Sequence, residues 1–331
     1  MSKQKVKKVM VLFVVVVSLT ASILMVSLLS SNNGSVRQFM EVLQALERQV
    51  QVMEYDVKCE HFVADSESDL KNPKPTGYFS QTHILIERGT GRVYKDREGV
   101  DGAHNNKGAR IRDVFLASRI IKSFDGETSM QMTMRPTGSE LGDYSRGLGQ
   151  IGSEPVIKDI GDYDDSGLSI LYPGFHLGKG LTTVLDEVEE SRVIQKSNGV
   201  VEVYYLEKRA LNDSDNNEWE KVVLDLKKDG VITQIDRYVK RPGDSKEYVI
   251  DSTNVEYILS DDGLWVPQSA TKIRRWKVIR IQKYTFSNFK INHFVPDMNL
   301  DRFRIEFPKG MPVWDKRTGV FFTIGSPPSE P

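Results

Sequence analysis

Hydrophobic positions repeat with two different periods along the chain, and the period changes near residue 50. Between residues 36 and 50 they recur every three or four residues, which predicts one amphipathic helix. From Met53 to Val63 apolar and polar residues alternate, which is typical of a half-buried antiparallel strand. The sequence therefore predicts a helix that leads into a β-rich body.

The alternating pattern returns in pairs of segments that are separated by short turns. Asx-Gly and Gly-x-Gly sequences supply the positive φ angles that tight hairpins need. Further strands are predicted at 277–289, 302–306 and 319–324, which gives an antiparallel meander of about a dozen strands. The predicted hairpins are centred on Gly89-Thr90-Gly91, Asp125-Gly126, Asn198-Gly199, Asp229-Gly230 and Asp262-Gly263.

A glycine-rich segment, 135–180, interrupts the meander. It lacks a sustained period, and it is followed by a short predicted helix at 181–189. We interpret it as a long insertion that is either a lid or disordered. Gly147, Gly149 and Gly152 match the G-x-G-x-x-G pattern, but no strand is predicted before them and no helix directly after them. A dinucleotide site is therefore disfavoured.

The N-terminal region carries a membrane signal. Residues 9–29 are uncharged and apolar, and at about 1.5 Å per residue they span about 31 Å, the thickness of one hydrocarbon core. Four lysines precede them, so the positive-inside rule leaves residues 1–8 in the cytoplasm. The sequence favours an uncleaved signal anchor over a cleaved signal peptide. Either alternative exports the body, to an inner-membrane-anchored or a free periplasmic location.

Composition excludes several kinds of chemistry. The chain has 331 residues with 45 Lys plus Arg against 46 Asp plus Glu, a balance that argues against a dedicated nucleic-acid binder. Its single cysteine, Cys59, excludes an internal disulfide and is expected to pack as a small hydrophobe on a strand. The five histidines lack metal-ligand spacing, and there is no G-x-S-x-G motif. We therefore expect no enzyme activity, no catalytic residue, no metal and no cofactor.

A dense positive stretch at 272–283 has two interpretations. It is either a solvated strand face that discourages edge pairing or a surface for anionic groups.

The order of elements resembles a known superfamily. An export signal, one amphipathic helix and a meander interrupted by a glycine-rich loop are similar to the LolA/LolB/RseB superfamily of outer-membrane lipoprotein carriers and sensors. The C-terminal stretch from Asp301 to Asp315, DRFRIEFPKGMPVWD, resembles the ending of planctomycete-type envelope proteins. The resemblance implies an incomplete β-barrel whose concave face is covered by helices and holds acyl chains of lipids or lipoproteins.

The predicted fold class is accordingly mainly β (α+β), a curved antiparallel sheet forming an incomplete β-barrel with a few covering helices and an N-terminal transmembrane helix. The predicted regions are a basic tip at 1–8, the anchor at 9–29, a hinge at 30–35, the half-barrel at 36–324 and a disordered tail at 325–331. Candidate residues for a ligand cleft are the apolar positions Phe39, Leu43, Tyr55, Val57, Ile84, Ile86 and Val114, for which a plain core role is the competing interpretation.

Two functions remain open from the sequence. The first is a non-enzymatic, membrane-anchored envelope protein that binds a lipid, lipoprotein or other amphiphile in the concave face. The alternative is a regulatory or protein-interaction module of the same fold, with a cavity filled by its own side chains and coupled to a membrane partner.

Overall fold

The computed structural model describes most of the chain after residue 35. The described residues are 36–88, 90, 92–104, 110–135, 146–153, 172–173, 180–188, 190–196, 198–207, 217–240, 247–275, 278–292 and 300–325. The chain divides into two compact units. The first, which we call the helical unit, takes in Met1–Gln49 and Ser169–Arg275; the second, the strand unit, takes in Val50–Leu168 and Trp276–Pro331.

The helical unit combines two helices with six antiparallel strands. The strands are hydrogen-bonded in the order β12-β11-β10-β9-β8-β7. Its elements are α1 (Val36–Gln49), α2 (Leu181–Glu187), β7 (Ser191–Gln195), β8 (Val200–Glu207), β9 (Asn217–Asp225), β10 (Val231–Lys240), β11 (Tyr248–Leu259) and β12 (Trp265–Arg275).

Helix α1 covers one face of this sheet. Its stripe of Phe39, Leu43 and Leu46 is buried, and the helical spacing of these residues places them on one side of α1. They pack against α2 and against inward-facing strand residues. The strand residues in this core are Val201, Val203, Tyr205, Val222, Leu224 and Ile232.

A buried carboxylate joins the two helices. Glu47 of α1 accepts a 2.8 Å hydrogen bond from the backbone N–H of Thr182 and a 2.5 Å bond from its hydroxyl. Thr182 lies in the first turn of α2, where backbone N–H groups have no partner within the helix. A Cβ at Gly180, whose φ is +92°, would lie 3.3 Å from both Glu47 carboxylate oxygens. Glu47 thus caps α2 and fixes it to α1.

The strand unit contains nine strands and no α-helix among its described residues. They are hydrogen-bonded in the order β15-β14-β6-β5-β4-β3-β2-β1-β13. All of its described pairs are antiparallel except β14 with β6, which is parallel. Its strands are β1 (Val52–Ala64), β2 (Lys74–Glu87), β3 (Val93–His104), β4 (Arg110–Phe124), β5 (Ser129–Arg135), β6 (Arg146–Gly152), β13 (Ile279–Ile291), β14 (Pro312–Asp315) and β15 (Val320–Thr323).

An irregular C-terminal strap, residues 304–311, covers part of the strand unit's sheet face. Its buried side chains Ile305 and Met311 pack with apolar residues of β4 and β5 and with Val313 of β14. Two glycines of β6 make room for it. A Cβ at Gly147 would lie 2.8 Å from the Met311 side chain, and a Cβ at Gly149 would lie 2.7 Å from the Phe307 ring. The G-x-G sequence is therefore a packing feature of the strap.

Most predicted elements are confirmed. The helix at 36–50, the short helix at 181–189 and all five hairpins correspond to observed elements within a few residues. Cys59 is fully buried on β1, as expected. The mainly antiparallel β character is confirmed as well.

Two details of the prediction are wrong. Residues 302–306 are not a strand, because a 3₁₀ turn occupies Leu300–Phe303 and the alternating Phe303 and Ile305 pack onto the sheet rather than pair at its edge. Strand β6 lies within the segment 135–180, where we expected no regular structure. Glycines that make room for the strap weaken the strand signal in the sequence.

Several predicted regions lie outside the described residues. These are the basic tip 1–8, the anchor 9–29, the hinge 30–35, most of the insertion 135–180 and the tail beyond Gly325. Within the described part of the chain, no helix combines the length and apolar character needed to cross a bilayer. The single half-barrel at 36–324 stays a prediction.

Candidate functional site

The predicted cleft residues are buried in both units. Phe39 and Leu43 lie together on α1 in the helical unit. Tyr55, Val57, Ile84 and Ile86 lie on one face of the β1–β2 pair, where Tyr55 is directly opposite Ile84. None of these six side chains is more than 2% exposed. The backbone of Val114 lies on β4, and its side chain is outside the described residues.

Aromatic side chains fill the space beside Tyr55. The Phe289 ring stacks on it with centroids 4.8 Å apart and an interplanar angle of 5°, and the Phe286 ring meets it edge-on at 6.0 Å. Both partners belong to β13, which pairs with β1. Contacts of this kind stabilise a packed core. The apolar side of β1 is thus occupied by the protein's own rings.

The opposite face of the strand unit carries a polar pocket of about 590 Å³. Two rows of side chains cross the strands in register and line it. Ser287, Asp56, His83 and Asp96 form the first row, and Thr285, Lys58, Gln81, Glu98 and Arg119 form the second.

Charged groups in the pocket are paired with one another. Arg119 donates two hydrogen bonds to Asp96, at 2.8 and 2.5 Å, and this bidentate contact raises the pKa of Arg119. His83 Nδ1 is bonded to Asp56 Oδ1 at 2.7 Å. The second Asp56 oxygen accepts a 2.6 Å bond from Asn288. The pocket therefore offers charged, amide and hydroxyl groups along its two rows of side chains.

Glu54 anchors the margin of this polar surface. Its carboxylate accepts bonds from Arg302 at 2.6 Å and Lys290 at 3.1 Å, and His83 Nε2 lies 3.9 Å away. Burial raises the pKa of Glu54, but the bonds from Arg302 and Lys290 outweigh it and lower the pKa below its usual value. Glu54 thus holds the 3₁₀ turn before the strap against β1 and β13.

The geometry around His83 differs from that of a hydrolytic dyad. Its Nδ1 faces Asp56, as in a dyad, but its Nε2 faces a second carboxylate, that of Glu54, instead of a nucleophilic hydroxyl. Among the described residues, no cluster of His, Cys, Asp and Glu is arranged to hold a metal ion. The arrangement is suited to binding polar, mixed-charge groups.

A second polar group lies on the core-facing side of the helical unit. Glu220 accepts a 2.6 Å bond from the Tyr205 hydroxyl, and Asp251 contacts both Arg237, at 3.3 Å, and Arg274, at 3.2 Å. Lys272 points to the same face, and burial together with the nearby Arg274 charge lowers its pKa. Part of the positive stretch 272–283 is therefore half-buried, and Arg274 in it is paired with an acidic residue.

Sequence reasoning missed the polar pocket. The signal was present in the alternation of Glu54, Asp56 and Lys58 along β1, which places all three on one face. Their partners come from other strands, and only the observed register places His83 opposite Asp56 and Asp96 opposite His83.

Comparisons with known proteins give weak likenesses. No protein-family model and no curated protein matches the sequence. Among solved structures, the chain is similar to a LolA superfamily protein from Nitrosomonas europaea, with 8% identity and a TM-score of 0.36 over 78% of this chain and 96% of that one. A porin-like protein from Bacteroides uniformis matches at 9% identity and a TM-score of 0.19 over 70% and 97%. MucB in complex with MucA(peri) matches at 6% identity and a TM-score of 0.11 over 77% and 94%.

The superfamily suggested by the sequence is thus among the similar solved structures. With TM-scores below 0.5, these likenesses carry no argument about what the chain binds. The fold rests on the observed strand order and register, and the site on its own residues.

Proposed function

We propose that this protein is a non-enzymatic interaction module of the cell envelope whose apolar interior is filled by its own side chains. The membrane anchor at 9–29 would keep it at the inner membrane, with the body in the periplasm. The polar pocket of the strand unit would then be the surface that receives a partner. Of the two functions that the sequence left open, this is the filled-cavity alternative.

The burial of the predicted cleft residues carries the proposal. A carrier of acyl chains needs an apolar cavity whose lining side chains become accessible to the ligand. Here the six described candidates are buried, with α1 packed on the core of the helical unit and β13 rings stacked on Tyr55. A lipid would have to displace these contacts, at a free-energy cost that an open cavity does not impose.

The described pocket has the wrong chemistry for an acyl chain. Its lining includes two hydrogen-bonded pairs of polar side chains, Asp56 with His83 and Asp96 with Arg119. Inserting a hydrocarbon chain there would desolvate these groups without replacing their hydrogen bonds with water. Polar groups of a peptide or another protein can instead exchange with that water.

The test is lipid occupancy of the purified full-length chain. After extraction, mass spectrometry is expected to find no stoichiometric acyl lipid, and a fluorescent fatty acid is expected not to bind. Phe39→Ala serves as a matched variant, because removing a buried ring leaves an apolar cavity that a small hydrophobic ligand can enter. We expect this variant to bind benzene, which the wild type should not, while the fatty acid stays unbound in both. Stoichiometric lipid in the wild-type protein would contradict the proposal and support the carrier function.

A further inference from the structure

An aromatic hairpin lies exposed at one end of the strand unit. It consists of β14, β15 and the turn between them. Phe321 is 61% exposed and Trp314 is 42% exposed, and the two residues are directly opposite each other in the register. Their side chains therefore share one face of the sheet. Val320 and Phe322 of the same hairpin are also exposed.

The apolar surface extends onto the neighbouring strand. In the parallel β14–β6 pair, Trp314 lies opposite Gln150, and Leu148 lies two residues earlier on the same face, where it is exposed. Large apolar side chains in a contiguous exposed group are uncommon on a soluble surface and mark a site of interaction.

Three basic residues lie on the hairpin or directly before it. Lys309, Lys316 and Arg317 belong to the segment 309–325, in which Asp315 is the single acidic residue. Asp315 is mostly buried and accepts bonds from Arg317 at 2.9 and 2.8 Å, which lower its pKa. The Lys316 ammonium lies 6.0 Å from the centre of the Trp314 ring. The exposed part of the hairpin thus combines aromatic rings with cations and displays no free carboxylate.

We propose that this hairpin docks on the anionic surface of a lipid bilayer. Tryptophan is enriched at the membrane–water interface, and phenylalanine occurs on the apolar face of segments that lie in it. Lysine side chains near an anionic leaflet are attracted by its negative potential. Lys316, in the turn at 316–319, lies beside the Trp314 ring, so both attractions act on the same small surface. The inference goes beyond the proposed function and does not depend on whether the interior is filled.

A bilayer fits this hairpin better than a strand from another chain. Strand β15 is only four residues long, so an added strand would gain few backbone hydrogen bonds. Side chains on both of its faces are exposed, which a lipid interface accommodates and a single added strand does not.

The experiment measures contact between Trp314 and lipid in the full-length chain reconstituted into vesicles. Brominated acyl chains quench the fluorescence of a tryptophan that touches them, and Trp314→Phe isolates the contribution of this residue among the four tryptophans. We expect Trp314-dependent quenching in phosphatidylcholine vesicles that contain phosphatidylglycerol, and much less in pure phosphatidylcholine. Lys316→Gln is expected to lower the ratio of docked to free hairpins about fivefold on the anionic vesicles alone.

Two further variants separate docking from loss of structure and from self-association. Phe321→Ser should lower the Trp314 quenching without shifting the thermal unfolding midpoint, since the ring is exposed. Leu259→Ser removes an equally exposed apolar side chain from the end of β11 and should leave the quenching unchanged. Absence of Trp314-dependent quenching, or equal quenching on neutral and anionic vesicles, would overturn the proposal. The proposal would also be overturned if Phe321→Ser halved the molecular mass measured by sedimentation. That result would show that a second copy of the chain covers the hairpin.

Discussion

The two units bury apolar sheet faces under covers of different kinds. In the helical unit the cover is a regular helix, α1, whose stripe of Phe39, Leu43 and Leu46 matches the helical repeat. In the strand unit the cover over β4 to β6 is the irregular C-terminal strap, which inserts Phe307 and Met311. A helix satisfies its backbone hydrogen bonds internally and contacts the sheet through large side chains. The strap instead lies close to the backbone of the sheet, so it needs space there.

The difference shows where each unit depends on particular residues. The helical cover depends on large side chains and on the Glu47 bonds that join α1 to α2. The strap depends on missing side chains, because Gly147 and Gly149 let it approach β6. The two units should therefore respond differently to the loss and to the addition of volume.

Truncation in the helical cover is expected to have the largest effect. Leu43→Ala removes a fully buried side chain and should lower the free energy of unfolding by about 2–5 kcal/mol. Urea unfolding followed by circular dichroism measures the change. Leu259→Ala, at an exposed position, is the control and should change it by less than about 0.5 kcal/mol. Similar losses in the two variants would mean that α1 is not a packed cover.

Added volume under the strap comes next. Gly149→Ala places a methyl group 2.7 Å from the Phe307 ring and should cost about 1–3 kcal/mol in urea unfolding. Gly152→Ala, on the same strand, meets only the Ser129 hydroxyl at 2.9 Å, which can rotate away, and should cost clearly less. If the two alanine variants were equally stable, the close approach of the strap to β6 would be disproved.

The junction between the helices should be moderately sensitive. Glu47→Gln keeps one acceptor oxygen but removes the charge that receives the two Thr182 bonds, at a cost of about 1 kcal/mol in unfolding free energy. Thr182→Ala removes the hydroxyl bond alone. A double-mutant cycle measures the coupling, and additive effects of the two substitutions would argue against a direct bond.

The smallest expected effect concerns pH at the start of the strap. The pKa of Glu54 is lower in the folded protein than its usual value of 4.5, so the folded state binds fewer protons there than the unfolded state. The stability that Glu54 contributes is therefore present above pH 4.5 and is lost as the pH falls through the folded pKa. Because Arg302 and Lys290 are partly exposed, the contribution is about 1 kcal/mol or less.

The free energy of unfolding of Glu54→Gln and of the wild type, measured at about pH 3–6, checks this expectation. This pH range brackets the usual pKa of a carboxyl group. The wild type should lose more stability than the variant on acidification. Parallel pH profiles would show that the bonds from Arg302 and Lys290 do not shift the titration of Glu54.

Local patterns predicted the regular elements well. The hairpin at Asp229-Gly230 could be placed because Asp229 has a φ of 54° and Gly230 a φ of 70°, conformations that this residue pair tolerates. Strand β6 could not be placed, because its glycines serve a neighbour that lies more than 150 residues away in the sequence. The strand predicted at 302–306 was wrong for the converse reason. Its residues alternate as in a strand, but they form no strand hydrogen bonds.

The candidate site, too, was predictable only in its local features. The sequence identified Tyr55, Val57, Ile84 and Ile86 as apolar positions of one face, because alternation along each strand is a local property. It left open whether that face is empty or filled, because Phe289 reaches Tyr55 only through the pairing of β1 with β13.

By itself, then, the sequence determined the helix α1, the hairpins and the buried or exposed side of each strand, since these follow from residue periods and turn chemistry over a few positions. The tertiary structure decided which distant residues fill the interior, which charges meet in the polar pocket and which aromatic rings stay exposed on the last hairpin. Those outcomes depend on strand register and on close packing between segments far apart in the chain, and a slip of one residue would reverse the face of every side chain involved.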